Sequence, residues 1–90
     1  MAEPAEHLIY FYGTECVHCV EMDEPKKRLE QEHGLKLKEL ECWHNDENAK
    51  LLEKYDRGRC GGIPFMYNTK TEKFICGNCD YDTLKQWALE

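Results

Sequence analysis

The stretch FYGTECVHC, Phe11 to Cys19, ends an apolar run and continues directly into two cysteines that are separated by two residues. Cysteines at this spacing hold a metal, close a structural disulfide or carry out thiol–disulfide exchange, and the stretch alone is compatible with all three. The run HLIYFY, 7–12, is rich in aromatic and β-branched residues, which predicts a buried strand. A helix is expected to begin just before Cys16.

The rest of the chain predicts a regular alternation of helices and strands. Pro25 either kinks a single helix over 16–33 or lies in the first turn of a new helix that is capped by Asp23. The order is β-α-β-α-β-β-α, which favours parallel strands in the first βαβ unit and an antiparallel hairpin at the end. The other expected elements are strands at 35–42, 61–68 and 73–77 and helices at 45–55 and 80–90.

These elements predict an α/β domain with a four-stranded mixed sheet and helices on both faces. Ninety residues suit a single domain spanning 1–90, in which residues 1–6 are expected to form a flexible tail. A net charge of −6 argues against binding to nucleic acid. No apolar run approaches the roughly 20 residues of a membrane span, and the acidic N-terminus does not resemble a secretory signal. We therefore expect a cytoplasmic protein, or an organellar one if a targeting segment has been removed.

Three segments carry a resemblance to a known family. FYGTECVHC matches a strand, turn and redox motif, GGIP (61–64) a proline loop, and CGNCDYDTL (76–84) the start of a last helix. Together with the element order, they resemble the thioredoxin superfamily and, in size, its compact glutaredoxin-type members, from about His7 to Leu89. The resemblance implies a thioredoxin-like fold in which Pro64 follows a cis peptide bond and faces the redox pair.

The resemblance also implies an enzyme, a thiol–disulfide oxidoreductase. In this role Cys16 is the nucleophile and Cys19 the resolving thiol, while His18, which resembles the histidine in protein disulfide isomerases, favours the thiolate. The segments matching the family's substrate groove contain Ile63, Pro64, Cys79 and Asp80. The sequence departs from typical members at Val17-His18 inside the motif and at Tyr10, near which thioredoxins have a buried aspartate.

The expected partners follow from this role. They are disulfide-containing proteins or glutathione, with a reductase as electron donor, and neither nucleic acid nor a membrane. We expect a monomer that needs no organic cofactor and uses glutathione, if at all, as a co-substrate.

The six cysteines leave an alternative open. Cys16, Cys19, Cys76 and Cys79 would supply the four thiolates of a tetrahedral zinc site or an iron–sulfur cluster, which would make the protein a metal-binding module. Cys76 and Cys79 are otherwise expected to form a second disulfide or to remain free. Cys60 is expected to be a solvated loop thiol. A peptide-binding adaptor without redox activity is a third hypothesis, disfavoured because both motif cysteines are present.

Overall fold

The computed structural model describes residues 3–90. Its elements follow the predicted order, with the first helical region divided in two. They are β1 (Glu3–Tyr12), α1 (Val17–Val20), α2 (Asp23–His33), β2 (Leu35–Glu41), α3 (Asp46–Asp56), β3 (Phe65–Asn68), β4 (Phe74–Cys76) and α4 (Tyr81–Leu89). The expectation of a flexible tail over 1–6 is wrong for residues 3–6, because they extend β1 beside the start of β2. Met1 and Ala2 lie outside the described residues.

The four strands form one mixed sheet, as the sequence predicts, and their order in it is β2-β1-β3-β4. β1 runs parallel to β2 and antiparallel to β3, with Phe11 opposite Phe65, and β4 is antiparallel to β3. The C-terminal ends of β1, β2 and β4 and the N-terminal end of β3 therefore lie at one edge of the sheet. The connecting segments 13–16, 42–45, 57–64 and 77–80 all leave or enter at this edge.

The core has two parts, one on each face of the sheet, and β1 contributes alternate residues to both. One face packs against α2 and α4, and its buried residues are Leu8, Tyr10, Met22, Leu29, Leu37, Met66, Tyr81, Leu84, Trp87 and Ala88. The other face packs against α3, and its buried residues are Ile9, Phe11, Cys42, Phe65 and Tyr67. Helices on both faces are thus confirmed. In the described part of the chain, no helix is long and apolar enough to span a bilayer.

Local chemistry explains where the helices begin. Of the two alternatives at Pro25, the structure has the second, a separate helix α2 with Pro25 in its first turn, where a missing N–H costs little. The expected cap is wrong, because Asp23 is the first helical residue and the N-cap is Met22, which makes no side-chain capping hydrogen bond. Asn45 caps α3 by accepting a hydrogen bond from Asn48 N at 3.0 Å. Asp80 caps α4 in the same way.

The strand expected over 61–68 begins only at Phe65. The preceding loop folds back onto α3, because the carboxylate of Asp56 accepts hydrogen bonds from the backbone N–H groups of Cys60 and Gly61. Gly61 also has a φ of 75°, which is incompatible with an extended strand.

Candidate active site

The two motif cysteines lie within one turn of each other at the end of β1. Cys16 directly precedes α1, its backbone is extended, and its Sγ accepts a hydrogen bond from Cys19 N at 3.2 Å. Both thiols are free, and the residues are only 5% and 4% exposed. The predicted helix does follow Cys16, but α1 has just four residues, so few peptide dipoles are aligned behind the sulfur. The direct N–H contact is the more specific interaction with Cys16.

Cys19 is slightly more buried than Cys16, with 4% of its surface exposed against 5%. Burial raises the pKa of the Cys19 thiol to about 11, and its hydrogen bond with Cys16 adds to this effect. The hydroxyl of Tyr10 donates a hydrogen bond to the Cys19 carbonyl at 3.0 Å, and contact with Tyr10 lowers the pKa of the thiol in part. Cys19 is therefore a protonated thiol near neutral pH.

A cavity of about 270 Å³ runs past Tyr10 and Cys19. Lys26 lies along it, with Nζ 4.2 Å from the centre of the Tyr10 ring and paired with Glu39. The other residues that line the cavity are Tyr12, Gly13, Thr14, Val20 and Asp23. A polar, solvent-connected space thus reaches the buried thiol.

His18 lies on the outer side of α1. Its side chain is 70% exposed, and Nδ1 is 3.5 Å from Glu21 Oε1 on the next turn. The contact found for the imidazole is therefore with a carboxylate rather than with the sulfur of Cys16. Any effect of His18 on Cys16 would act through charge at a distance.

The loop that carries Cys16 is tied to the loop after β2. Glu15 pairs with His44 Nε2 at 2.7 Å, and this hydrogen bond with the carboxylate raises the pKa of His44. Glu41 accepts hydrogen bonds from Thr14 N at 2.9 Å and from His44 N at 2.8 Å. Sequence reasoning missed the anchors between the two loops, because Thr14 and Glu41 are 27 positions apart and Glu15 and His44 are 29 apart, and neither pair belongs to a local motif.

Pro64 enters the sheet beside the end of β1. The Ile63–Pro64 peptide bond is cis, the isomer that the resemblance implies, and Phe65 pairs with Phe11. Ile63 and Trp43 close over Gly13, where an added Cβ would lie 2.3 Å from Trp43 Cδ2 and 2.8 Å from Ile63 Cδ1. The loop of Pro64 and the segment that leads to Cys16 are therefore in direct contact through Gly13.

Trp43 and Ile63 form part of an open apolar groove, which we call the tryptophan groove. Its volume is about 450 Å³, and Trp43 is 52% exposed. It is lined by Cys42, Trp43, Ala49, Leu52, Glu53, Asp56, Gly58, Gly61, Gly62 and Ile63. The groove passes next to the Cys16 segment and ends at the loop before Pro64.

The segment that opens α4 packs against the junction of α1 and α2. Cys79 N donates to Met22 Sδ at 3.3 Å, and Asn78 donates to the carboxylate of Glu21. Burial, and then the charge of Asp80, raises the pKa of the Cys79 thiol to about 11. The carboxylate of Asp80 accepts a hydrogen bond from Thr83 N at 2.9 Å as the helix cap. The start of α4 therefore lies against the helices that follow Cys16. The carboxylate of Asp80 in this segment is already hydrogen-bonded to Thr83 N.

Cys60 and Cys76 form a disulfide, with sulfur atoms 2.00 Å apart. The expectation of a solvated thiol at Cys60 is therefore wrong, as is that of a disulfide between Cys76 and Cys79. The error has a physical source: the hairpin register places Cys76 opposite Phe65, which brings it back to the loop before Pro64 rather than to its neighbour in sequence.

The four-thiolate metal site is incompatible with this arrangement, because the sulfur of Cys76 is already bonded to Cys60. Among residues 3–90, the group whose potential ligand atoms come within 4.8 Å of one another consists of Glu15, Glu41 and His44. These three side chains hold the two loops together through hydrogen bonds.

No family model matches the sequence, and no curated protein matches it either. Among solved structures, the chain is similar to the crystal structure of a glutaredoxin from Archaeoglobus fulgidus, with a TM-score of 0.65. The match covers 96% of this chain and 89% of that one. The chain has a glutaredoxin-like thioredoxin fold. The predicted fold class and resemblance are confirmed at this level, and since the glutaredoxin is 19% identical, activity has to be argued from the site.

Proposed function

We propose that the protein is a thiol–disulfide oxidoreductase that acts on protein disulfides through Cys16 and Cys19. The observation that carries the proposal is the hydrogen bond from Cys19 N to Cys16 Sγ, within a motif that begins where β1 of a glutaredoxin-like fold ends. Two free thiols held within one helical turn are able to form a disulfide with each other, which is what exchange chemistry requires.

The cycle begins with the thiolate of Cys16. The N–H of Cys19 points at this sulfur, and hydrogen bonds to charged acceptors are stronger than those to neutral ones. The thiolate attacks one sulfur of the substrate disulfide, the other sulfur leaves with the electron pair and takes up a proton, and a mixed disulfide remains. Cys19 then loses its proton and attacks Cys16, which releases the second substrate thiol. Two electrons pass to the substrate, and Cys16 and Cys19 become a disulfide.

The high pKa of Cys19, about 11, fits its role as the second thiol. A protonated Cys19 does not compete with Cys16 for the incoming disulfide. Its proton must leave before it attacks, and the cavity past Tyr10 gives solvent access for that transfer.

Peptide recognition is assigned to the Pro64 loop and the tryptophan groove. In the part of the chain that the structure describes, neither the N–H nor the C=O of Ile63 has a backbone hydrogen-bond partner. Unpaired backbone groups of this kind can pair with an extended peptide, while Trp43 offers a half-exposed apolar surface beside them.

The site favours protein disulfides over glutathione. Asp80, which the resemblance places at a glutathione contact, already caps α4. Arg59, a cation near the Pro64 loop, donates to Tyr55 O at 2.8 Å and lies 4.2 Å over the ring of Phe74. Because Asp80 and Arg59 both have partners within the protein, binding the charged ends of glutathione would require each side chain to weaken or share those interactions.

The test compares Cys16→Ser with Cys19→Ser, two identical changes three residues apart. Each protein is assayed for reduction of insulin and of a small disulfide with dithiothreitol as electron donor. We expect Cys16→Ser to reduce neither substrate above background. When Cys19→Ser is mixed with the small disulfide in the absence of dithiothreitol, it is expected to accumulate a mixed disulfide at Cys16, visible as a mass increase that dithiothreitol then removes. Full turnover by Cys16→Ser would refute the proposal.

A further inference from the structure

The disulfide between Cys60 and Cys76 has no part in the exchange cycle, yet it lies at the same edge of the sheet. Cys60 is four residues before Pro64, and Cys76 is the last residue of β4. Just beyond the bond, Gly77 N donates to Pro64 O at 2.8 Å. One covalent bond and one hydrogen bond therefore hold the loop of Pro64 against β4.

The bond is open to reagents in solution. Cys76 is exposed and Cys60 is half-buried, whereas Cys16 and Cys19 are both buried. Exchange requires a thiolate to reach one sulfur of the disulfide, so accessibility sets which bonds react. Of the two cysteine pairs at this edge, the pair formed by Cys60 and Cys76 is the more accessible one.

The base of the loop has anchors that do not depend on the disulfide. The carboxylate of Asp56, a residue only 5% exposed, accepts hydrogen bonds from Cys60 N and from Gly61 N, the latter at 2.8 Å. Arg59 N and Nε both donate to Asp56 O at 3.0 Å. Opening the disulfide would therefore leave residues 57–61 attached to α3.

Freedom of movement is concentrated just after these anchors. Gly61 has a φ of 75°, and a Cβ at Gly61 or at Gly62 would meet no atom within 4 Å. In the described chain, Gly62 and Ile63 make no backbone–backbone hydrogen bond. Two unpacked glycines next to Ile63 form a hinge, and movement there would change the end of the tryptophan groove.

We infer that Cys60 and Cys76 are a second, reversible thiol–disulfide site, which fixes the Pro64 loop when oxidised and releases the hinge at Gly61 and Gly62 when reduced by an external dithiol. The dithiol's thiolate attacks Cys76 Sγ, the S–S bond breaks, and Cys60 leaves as a thiolate that takes up a proton. The second thiol of the reductant then displaces Cys76. The reductant becomes a disulfide, and two electrons and two protons reach the protein. The effect on substrates rests on the proposed function, whereas the reversibility of the bond does not.

The first experiment uses Cys16→Ser/Cys19→Ser, a variant without the first redox pair. It is equilibrated in graded mixtures of reduced and oxidised dithiothreitol, and thiols are trapped by alkylation and counted by mass. We expect Cys60 and Cys76 to gain the label together in one transition, while circular dichroism remains that of a folded protein. Amide exchange is expected to increase at Gly77, whose N–H is bonded to Pro64 O, and to stay unchanged in α2, the internal control. Reduction only with global unfolding, or reduction without a change at Gly77, would overturn the inference.

The second experiment measures the effect on substrates. Cys60→Ser/Cys76→Ser is compared with the oxidised wild-type protein on insulin and on hydroxyethyl disulfide, which is too small to fill the groove. We expect KM for insulin to change several-fold with little change for the small disulfide. Equal changes for both substrates would contradict control of the groove by the bond. If all proteins lack activity, the proposed function fails, and the labelling and exchange results still decide whether the second site exists.

Discussion

Replacing Tyr10 with Phe removes a single oxygen from the centre of the candidate site. The ring is 1% exposed, and its hydroxyl donates to the Cys19 carbonyl at 3.0 Å. Phenylalanine keeps the other contacts of the ring, which stacks on Tyr12 at a centroid distance of 5.8 Å and lies below Lys26 Nζ at 4.2 Å. Tyr10→Phe therefore isolates one hydrogen bond.

The expected loss of stability depends on which hydrogen bonds the Cys19 carbonyl keeps when the hydroxyl of Tyr10 is removed. A buried hydrogen bond contributes about 1 kcal/mol net, and the Cys19 carbonyl keeps a second one, from Met22 N at 3.1 Å, so it is not left without a partner. The cavity that Tyr10 and Cys19 both line is roomy enough for water, so a water molecule can replace the hydroxyl in part. We therefore expect the free energy of unfolding to fall by about 1 kcal/mol. Because contact with Tyr10 lowers the pKa of Cys19, the variant should also raise that pKa and slow the resolving step.

Urea unfolding followed by circular dichroism measures the loss of stability. Tyr12→Phe is the matched control, because Tyr12 lies two residues away, lines the same cavity and, within residues 3–90, has no side-chain hydrogen bond. If Tyr10→Phe costs no more than Tyr12→Phe, the hydrogen bond to Cys19 contributes nothing and the reasoning fails. A loss well above about 3 kcal/mol would also refute it, since that magnitude indicates disrupted packing rather than one lost hydrogen bond.

Three further predictions concern the loops around the site. Glu15 raises the pKa of His44, so their pairing stabilises the fold fully below the unfolded value of about 6.5 and is lost as pH rises through the higher folded value. His44→Gln should therefore be less stable than the wild-type protein at about pH 6 and equal to it at about pH 9, and a pH-independent difference would contradict this. Gly13→Ala should displace the Trp43 side chain and lower the free energy of unfolding by about 1–3 kcal/mol. In a Trp87→Phe background, the fluorescence emission of Trp43 should shift to the red, and unchanged emission would show that the clash is relieved elsewhere. Loss of the disulfide in Cys60→Ser/Cys76→Ser should lower the free energy of unfolding by about 3 kcal/mol, because the bond closes a loop of 16 residues. Urea unfolding measures this loss, and a difference near zero from the wild-type protein would contradict it.

The elements and their order could be predicted from the sequence because their signals are local. The aromatic run before Gly13 forms a strand, and the Asx residues Asn45 and Asp80 cap helices, as their short side chains favour. The order of the elements then limits the topology, since a βαβ unit followed by a hairpin leaves few arrangements. The convergence of the loops at one edge follows from that topology.

The pairings between loops could not be predicted in the same way. The disulfide depends on the hairpin register, which places Cys76 opposite Phe65 and beside the loop of Cys60. The pair Glu15–His44 joins residues that are 29 positions apart, each of which looks like an ordinary surface residue in sequence. The sequence leaves open whether one kinked helix or two helices follow Cys16, and the structure has a first helix of a single turn that ends before α2 begins at Asp23.

The contacts around the sheet edge divide the site into a fixed half and an adjustable half. The Cys16 loop is tied to the β2 loop by Glu41 and by the pair Glu15–His44. By contrast, Ile63 follows two unpacked glycines and lacks backbone partners in the described chain. A nucleophile reacts faster when it is held in a fixed position. A segment that binds peptides of different sequence instead benefits from a backbone that can adjust to each of them. If the protein acts as proposed, substrate selection would fall to the Pro64 loop, and the bond between Cys60 and Cys76 would control the freedom of that loop.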